Sequence, residues 1–158
     1  MGRAQGFTTA QRLAAIVPAV LLAGAYASEY LGGLQPCEMC WWQRYAHFAA
    51  LGFGIVGLLL GARRIARLPV LLAAVAILVA GALGVFHAGV ENHWWTGLTR
   101  CSMIPGGRDM LANIWATPLV RCDEAQWRLL GISLAGWNAI VSLPLGGWIL
   151  WTTLTDRR

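Results

Sequence analysis

The chain has 158 residues, 58% of them hydrophobic and only 12% charged, whereas an ordinary globular domain carries about 25% charged residues. Those proportions exclude a solvated globular surface and indicate one membrane domain. The net charge of +5 comes from twelve arginines, in no run long or polar enough to track phosphates, so charge sorting across a membrane explains it better than nucleic acid does.

The first apolar run, 13–31, follows Arg3 and Arg12 and has the length needed to cross about 30 Å of hydrocarbon. Arginines, an apolar stretch and the small-residue triplet Ala25-Tyr26-Ala27 also fit a cleavable export signal. Continuation through Tyr30 and Leu31 and a Gly32-Gly33 turn into the next segment favour a retained helix. The second run, 41–62, opens on Pro36-Cys37-Glu38-Met39-Cys40-Trp41-Trp42-Gln43-Arg44-Tyr45 and stops at three arginines and Pro69. The third, 68–90, is almost wholly small and aliphatic up to His87, and Gly81 and Gly84 permit close helix approach. The fourth, 134–154, contains Pro144, which should bend it or thin its hydrogen bonding. The expected fold is an all-α integral membrane protein: a four-transmembrane-helix bundle in a single domain over 1–158, with loops about 32–40 and 91–133.

Arginine counting orients the bundle. With four alternating helices, Arg3, Arg12, Arg63, Arg64, Arg67, Arg157 and Arg158 share one side, which makes that side cytoplasmic and holds both termini there. Both cysteine-bearing loops then face outward. Trp41, Trp42, Trp94, Trp95, Trp127 and Trp137 would mark the outer interface and Trp148 and Trp151 the inner one, as tryptophans usually do. Within the long outer loop, Met110 to Trp115 could form a short interfacial helix, and Trp127 to Ser133 is apolar enough to lie on the membrane.

The four cysteines form two unlike pairs: Cys37 and Cys40 at a helix mouth, Cys101 and Cys122 in the long, mobile loop. By itself C-x-x-C serves structural zinc and redox chemistry alike. A distant second pair matches the usual zinc patterns poorly, and Trp41 after Cys40 rules out C-x-x-C-H haem attachment, so no metal is expected. A helix starting near Cys37 would aim its positive end at the thiols and place Cys40, Arg44 and His47 on one face. A guanidinium one turn inside a membrane helix is costly and calls for a partner. Glu29 can pair with it, and His87 can reach the same level. The bland account of these residues is an ion pair, with His47 and His87 packed or interfacial.

Taken together, Pro36-Cys37-x-x-Cys40-x-x-Gln43-Arg44-Tyr45, Phe86-His87-Ala88-Gly89-Val90-Glu91 and Cys122-x-Glu124-x-Gln126-Trp127 leading into Gly131-Ile132-Ser133 resemble the bacterial inner-membrane disulfide bond formation protein B (DsbB) family, over nearly the whole chain. The resemblance implies a thiol:quinone oxidoreductase of the inner membrane. Its cofactor would be ubiquinone or menaquinone, and its partner a periplasmic thioredoxin-like dithiol oxidase (DsbA-like). It also implies catalytic Cys37, Cys40, Cys101 and Cys122, with cofactor contacts at Arg44, His87 and Glu29. Cys101 would be the sulfur that the partner attacks, Cys122 would then attack Cys37, and Cys40 would face the quinone. Two other readings stay open: a quinone or epoxide reductase resembling the vitamin K epoxide reductase family, and a non-enzymatic scaffold with structural disulfides.

Overall fold

The computed structural model describes residues 3–61, 63–99 and 120–155. Four long helices make up the bundle: α1 (Arg3–Tyr30), α2 (Glu38–Leu60), α3 (Arg67–Glu91) and α4 (Leu134–Thr155). α3 packs against both α2 and α4, and α1 against α2 and α4. Three helical stretches among the described residues, Gly6–Tyr30, Arg64–Glu91 and Leu134–Thr155, are long and apolar enough to cross a membrane. At 1.5 Å per residue the 23 residues of α2 span about 35 Å, long enough to cross as well, but its buried face carries Gln43, Arg44 and His47, which lower its apolarity.

Helix α1 starts well before the apolar run predicted at 13–31. Phe7 and Ala10 pack with Ala14, Val17, Ala50, Val70, Ala73, Ile77 and Ile149 in one core cluster, and Gln11 Nε2 donates to the carbonyls of Gly57 and Gly61 at the end of α2. The last turn of α2, which otherwise leaves carbonyls unbonded, is thereby satisfied from a neighbouring helix. The cluster is rich in alanine, so the helices approach closely. At Gly84 an added Cβ would lie 2.8 Å from the Ala135 carbonyl oxygen of α4, so only glycine fits there without moving backbone.

Helix α4 runs through Pro144 without a break in its assignment. Just before it, where the sequence pointed only to an apolar stretch lying on the membrane, β1 (Arg128–Leu129) pairs antiparallel with β2 (Ile132–Ser133). The turn between them has positive φ at Leu130 (53°) and Gly131 (80°), the combination of a two-residue hairpin. This small ribbon is the exception to the all-α expectation among the described residues. The expected Met110 to Trp115 helix lies outside them, as does Cys101.

Candidate functional site

Cys37 is the N-cap of α2. Its backbone is extended (φ −80°, ψ 175°) and its Sγ accepts from the Cys40 N–H at 3.2 Å, which uses one of the donors that a helix start leaves free. The same cap brings the two sulfurs to 2.8 Å. Both are free thiols, Cys37 buried and Cys40 half-buried, whereas Cys122 is disulfide-bonded. The hydrogen bond with Cys40 and burial push the Cys37 thiol well above its ordinary value, so Cys37 is the member of the pair that keeps its proton.

Cys122 does not ride a free loop, contrary to the sequence expectation for that pair. It is completely buried and packs with Cys37, Met39 and Val90, with Cys40, Trp42, Phe86 and Val120 around them. Two sets of bonds hold its segment there. Gln126 Oε1 accepts from the Gln35 N–H at 3.0 Å and Gln126 Nε2 donates to the Gln35 carbonyl at 2.7 Å, which stitches this segment to the one leading into Cys37. Arg128 donates to Asn92 Oδ1 and the Glu91 carbonyl at the end of α3. Beside Cys122, the Arg121 guanidinium binds Asp123 through two nitrogens, and this hydrogen-bonded pairing holds the Asp123 carboxyl below the usual carboxylate range. Sequence reasoning missed Gln35 and Arg128 altogether. Gln126 had appeared only as a motif position.

One turn below Cys40 lies Arg44, 5% exposed. Its Nη1 is ion-paired with Glu29 and its Nη2 donates to the Ala25 carbonyl at 3.2 Å. The guanidinium carbon lies 4.7 Å from the Tyr26 ring centroid and 5.0 Å from that of Trp41. Arg44 Nε is buried without a partner. The predicted pairing of Glu29 with Arg44 is therefore present, and Glu29 sets the orientation of that cation.

His87 reaches the thiols from α3. Its Nε2 lies 3.6 Å from Cys37 Sγ and its Nδ1 2.9 Å from Gln43 Nε2. Cys37, Cys40 and His87 place their ligand atoms within 4.8 Å of one another, the one such metal-sized group among the described residues. The sulfur spacing argues against a metal. Two thiolates on tetrahedral zinc stand about 3.8 Å apart, since each Zn–S bond is about 2.3 Å, and 2.8 Å is far too close.

A cavity of about 370 Å³ opens beside these groups, with Val20, Leu21 and Ala25 of α1 on one side and Cys40, Arg44 and His87 on the other. It offers apolar walls, a fixed cation and a thiol to one occupant. The structure thus joins Cys37, Cys40, Cys122, Arg44, Glu29 and His87 into one site. His47 lies deeper and bonds Asn138, and His93 stands at the turn after α3 with φ 58°.

Residues 8–152 match the family model described as Disulfide bond formation protein DsbB. Among curated proteins, the chain is 30% identical over 137 residues to disulfide bond formation protein B of Marinobacter nauticus, covering 79% of each chain. It is 32% identical over 139 residues to the protein of that name from Verminephrobacter eiseniae, covering 81% of this chain and 75% of the relative. With that of a Polaromonas species it shares 28% identity over 165 residues, covering 92% and 91%. No solved structure gives a significant match.

Proposed function

Because the chain belongs to the disulfide bond formation protein B family, we propose that this membrane protein is a thiol:quinone oxidoreductase, which re-oxidises a periplasmic thioredoxin-like dithiol protein and passes the electrons to ubiquinone or menaquinone. The observation that carries the reading is the convergence of Cys37, Cys40 and Cys122 in one buried cluster at the edge of the apolar cavity. In the orientation given by arginine counting, both termini are cytoplasmic and this end of the bundle faces the periplasm.

The sulfurs divide the work. A thiolate of the partner attacks Cys101 in its disulfide with Cys122; a partner–Cys101 bond forms and Cys122 leaves as the thiolate. Cys122 then attacks Cys37 of the oxidised inner pair, so that the Cys37–Cys122 bond forms, the Cys37–Cys40 bond breaks and the charge passes to Cys40. Attack needs contact between the sulfurs, and the packing of Cys122 against Cys37 supports that order. Both cysteines line the cavity, and Cys40, the more exposed of the two and a turn above Arg44, is placed to deliver electrons to its occupant.

The residues present fit a quinone: apolar walls suit a flat ring, and Arg44 on the cavity lining brings a fixed cation to a ring carbonyl. Arg44 would hold the quinone, with the His87 ring lining its site and Glu29 keeping the guanidinium in place, and the quinone when bound supplies the two-electron acceptor. Arg44 is fixed before any charge develops, and that preorganisation is the source of oxyanion-type stabilisation.

The test is direct. The purified full chain should couple oxidation of a reduced thioredoxin-like protein to stoichiometric loss of quinone absorbance, and Cys40→Ser should abolish the coupling. No thiol oxidation by the intact protein would sink the proposal. Thiol-driven reduction of an epoxide in its place would favour the reductase reading, neither reaction would favour a non-enzymatic scaffold, and unchanged turnover in Cys40→Ser would overturn the role given to Cys40.

A further inference from the structure

Two backbone carbonyls decide the protonation of a buried amide chain that the proposed reaction leaves unassigned. Gln43 Nε2 lies 3.2 Å from the Met39 carbonyl oxygen, and Asn138 Nδ2 lies 2.9 Å from that of Ala80. A carbonyl can only accept, so both side-chain atoms are the amide nitrogens. Each NH₂ group has a second hydrogen. That of Asn138 goes to Gln43 Oε1 at 2.7 Å, and that of Gln43 goes to His87 Nδ1 at 2.9 Å. His87 Nδ1 is therefore the acceptor, and in the neutral ring the proton sits on Nε2.

The position of Nε2 decides what that proton does. It lies 3.6 Å from Cys37 Sγ and 3.7 Å from Glu91 Oε1, and the ring also donates to the backbone of Cys122. The first distance suits an N–H donor and a large sulfur, while the second exceeds the reach of an N–H···O bond, about 3.2 Å. Cys37 Sγ thus has two donors within reach, the Cys40 N–H and the His87 Nε2–H, the latter shared with the Cys122 backbone. The same amides fix His47. Asn138 Oδ1 accepts from Ser142 Oγ at 2.9 Å and from His47 Nε2 at 2.8 Å, which leaves His47 Nδ1 as a bare lone pair and not a stranded N–H.

We infer that Gln43 and Asn138 are positioning residues that hold His87 in its Nε2–H tautomer, and that His87 serves the site as a hydrogen-bond donor to a Cys37 thiolate and not as a base toward it. This thiolate is the hard one to form, because Cys37 is the proton-holding member of the pair. It arises whenever a disulfide of Cys37 is attacked at the other sulfur, so that Cys37 is the leaving group. The tautomer also leaves Nε2 no lone pair for a metal, in agreement with the sulfur spacing. What the thiolate is used for rests on the oxidoreductase reading; the tautomer does not.

The experiment is ¹⁵N NMR of the full chain in detergent with labelled histidine, at a pH where the rings are neutral, with the His87 signals identified by their loss in His87→Asn. The expected spectrum has His87 protonated at Nε2 and bare at Nδ1. An Nδ1–H form or an even mixture overturns the inference, and this measurement requires no folded variant beyond the one used for assignment. Gln43→Glu places an acceptor where the donor stood. It should turn His87 to Nδ1–H and slow about tenfold the reductive opening in which dithiothreitol, a small reagent, attacks the half-buried Cys40 and Cys37 leaves as the thiolate, the branch read by trapping the adduct on Cys40; that factor is the worth of a hydrogen bond to a charged group. A switched tautomer with an unchanged opening rate overturns the donor role. Neither readout involves quinone, so a chain with the expected tautomer but no quinone turnover fails the functional proposal and not this one.

Discussion

Replacing Arg44 by Met separates its structural role from its chemical one. The Arg44 side chain is 6% exposed and that of its counter-ion Glu29 18%, so Arg44→Met leaves a largely buried carboxylate with no cation. Breaking a buried pair from one side costs about 3–5 kcal/mol. Glu29 keeps some access to solvent, so a loss near the lower end, about 3 kcal/mol, is expected. Adding Glu29→Gln removes the stranded charge, and the double variant should recover most of that stability. Its turnover should not recover. A preorganised donor at a site of developing charge is worth on the order of 10²-fold in rate, and no side chain in the double variant replaces it. Helical circular dichroism during denaturant unfolding in detergent reads the first effect, and quinone-linked oxidation of a dithiol protein reads the second. A double variant in which turnover returns together with stability would refute the catalytic role and reduce Arg44 and Glu29 to a structural pair.

Three further outcomes follow from the same geometry. Gly84→Ala forces a methyl group against the Ala135 carbonyl and the Ala139 nitrogen, both backbone atoms that cannot rotate away, and should cost about 1–3 kcal/mol of unfolding free energy in the same denaturation assay. Gln126→Ala removes both bonds that tie the Cys122 segment to Gln35; with the inner pair oxidised, disulfide exchange between the two cysteine pairs, followed by quenched-flow alkylation, should slow several-fold, each bond being worth about 1 kcal/mol. In the reduced protein, iodoacetamide should label Cys40 well before Cys37: a thiol raised above its ordinary value is thiolate only at high pH, so Cys37 labelling should stay slow through neutral pH and rise in alkali, and equal rates at neutral pH would contradict the assignment of the shared proton.

The sequence disclosed those parts of the site whose residue types have few uses. A guanidinium inside an apolar helix demands a partner, and of the nearby residues only Glu29 carries the opposite charge at a reachable height, so the Arg44–Glu29 pair was legible before any coordinates. The helix start at Cys37 and the close approach at Gly84 were legible for similar reasons, each resting on a single strong local constraint. The anchoring of Cys122 was not. It depends on Gln126 meeting Gln35 and on Arg128 meeting Asn92, pairings across long sequence separations between residues that are equally at home in solvent. A long polar loop therefore read as mobile throughout, although its last part is fixed. The hairpin was hidden for another reason: Leu130 adopts a positive φ that leucine seldom takes, so the turn lacked the Asn-Gly or Asp-Gly signal that announces such a ribbon.

That anchoring bears on how two sulfurs three residues apart can serve two different acceptors. Were Cys37 and Cys40 equally exposed at the helix mouth, a loop thiolate could attack either, and the electrons would have no defined exit. The cap geometry breaks the symmetry. It buries Cys37 in the cluster with Cys122 and beside His87, and leaves Cys40 half-buried a turn above Arg44, both cysteines lining the cavity. Exchange at Cys37 is then the reachable attack, and it necessarily delivers the charge to Cys40. Direction is imposed by burial and by the stitching of one loop to the other. It follows that loosening Gln126 should degrade the choice between the two sulfurs as well as the rate, with mixed disulfides to Cys40 becoming detectable by mass spectrometry in Gln126→Ala; if every trapped bond still runs through Cys37, the helix cap alone sets the order.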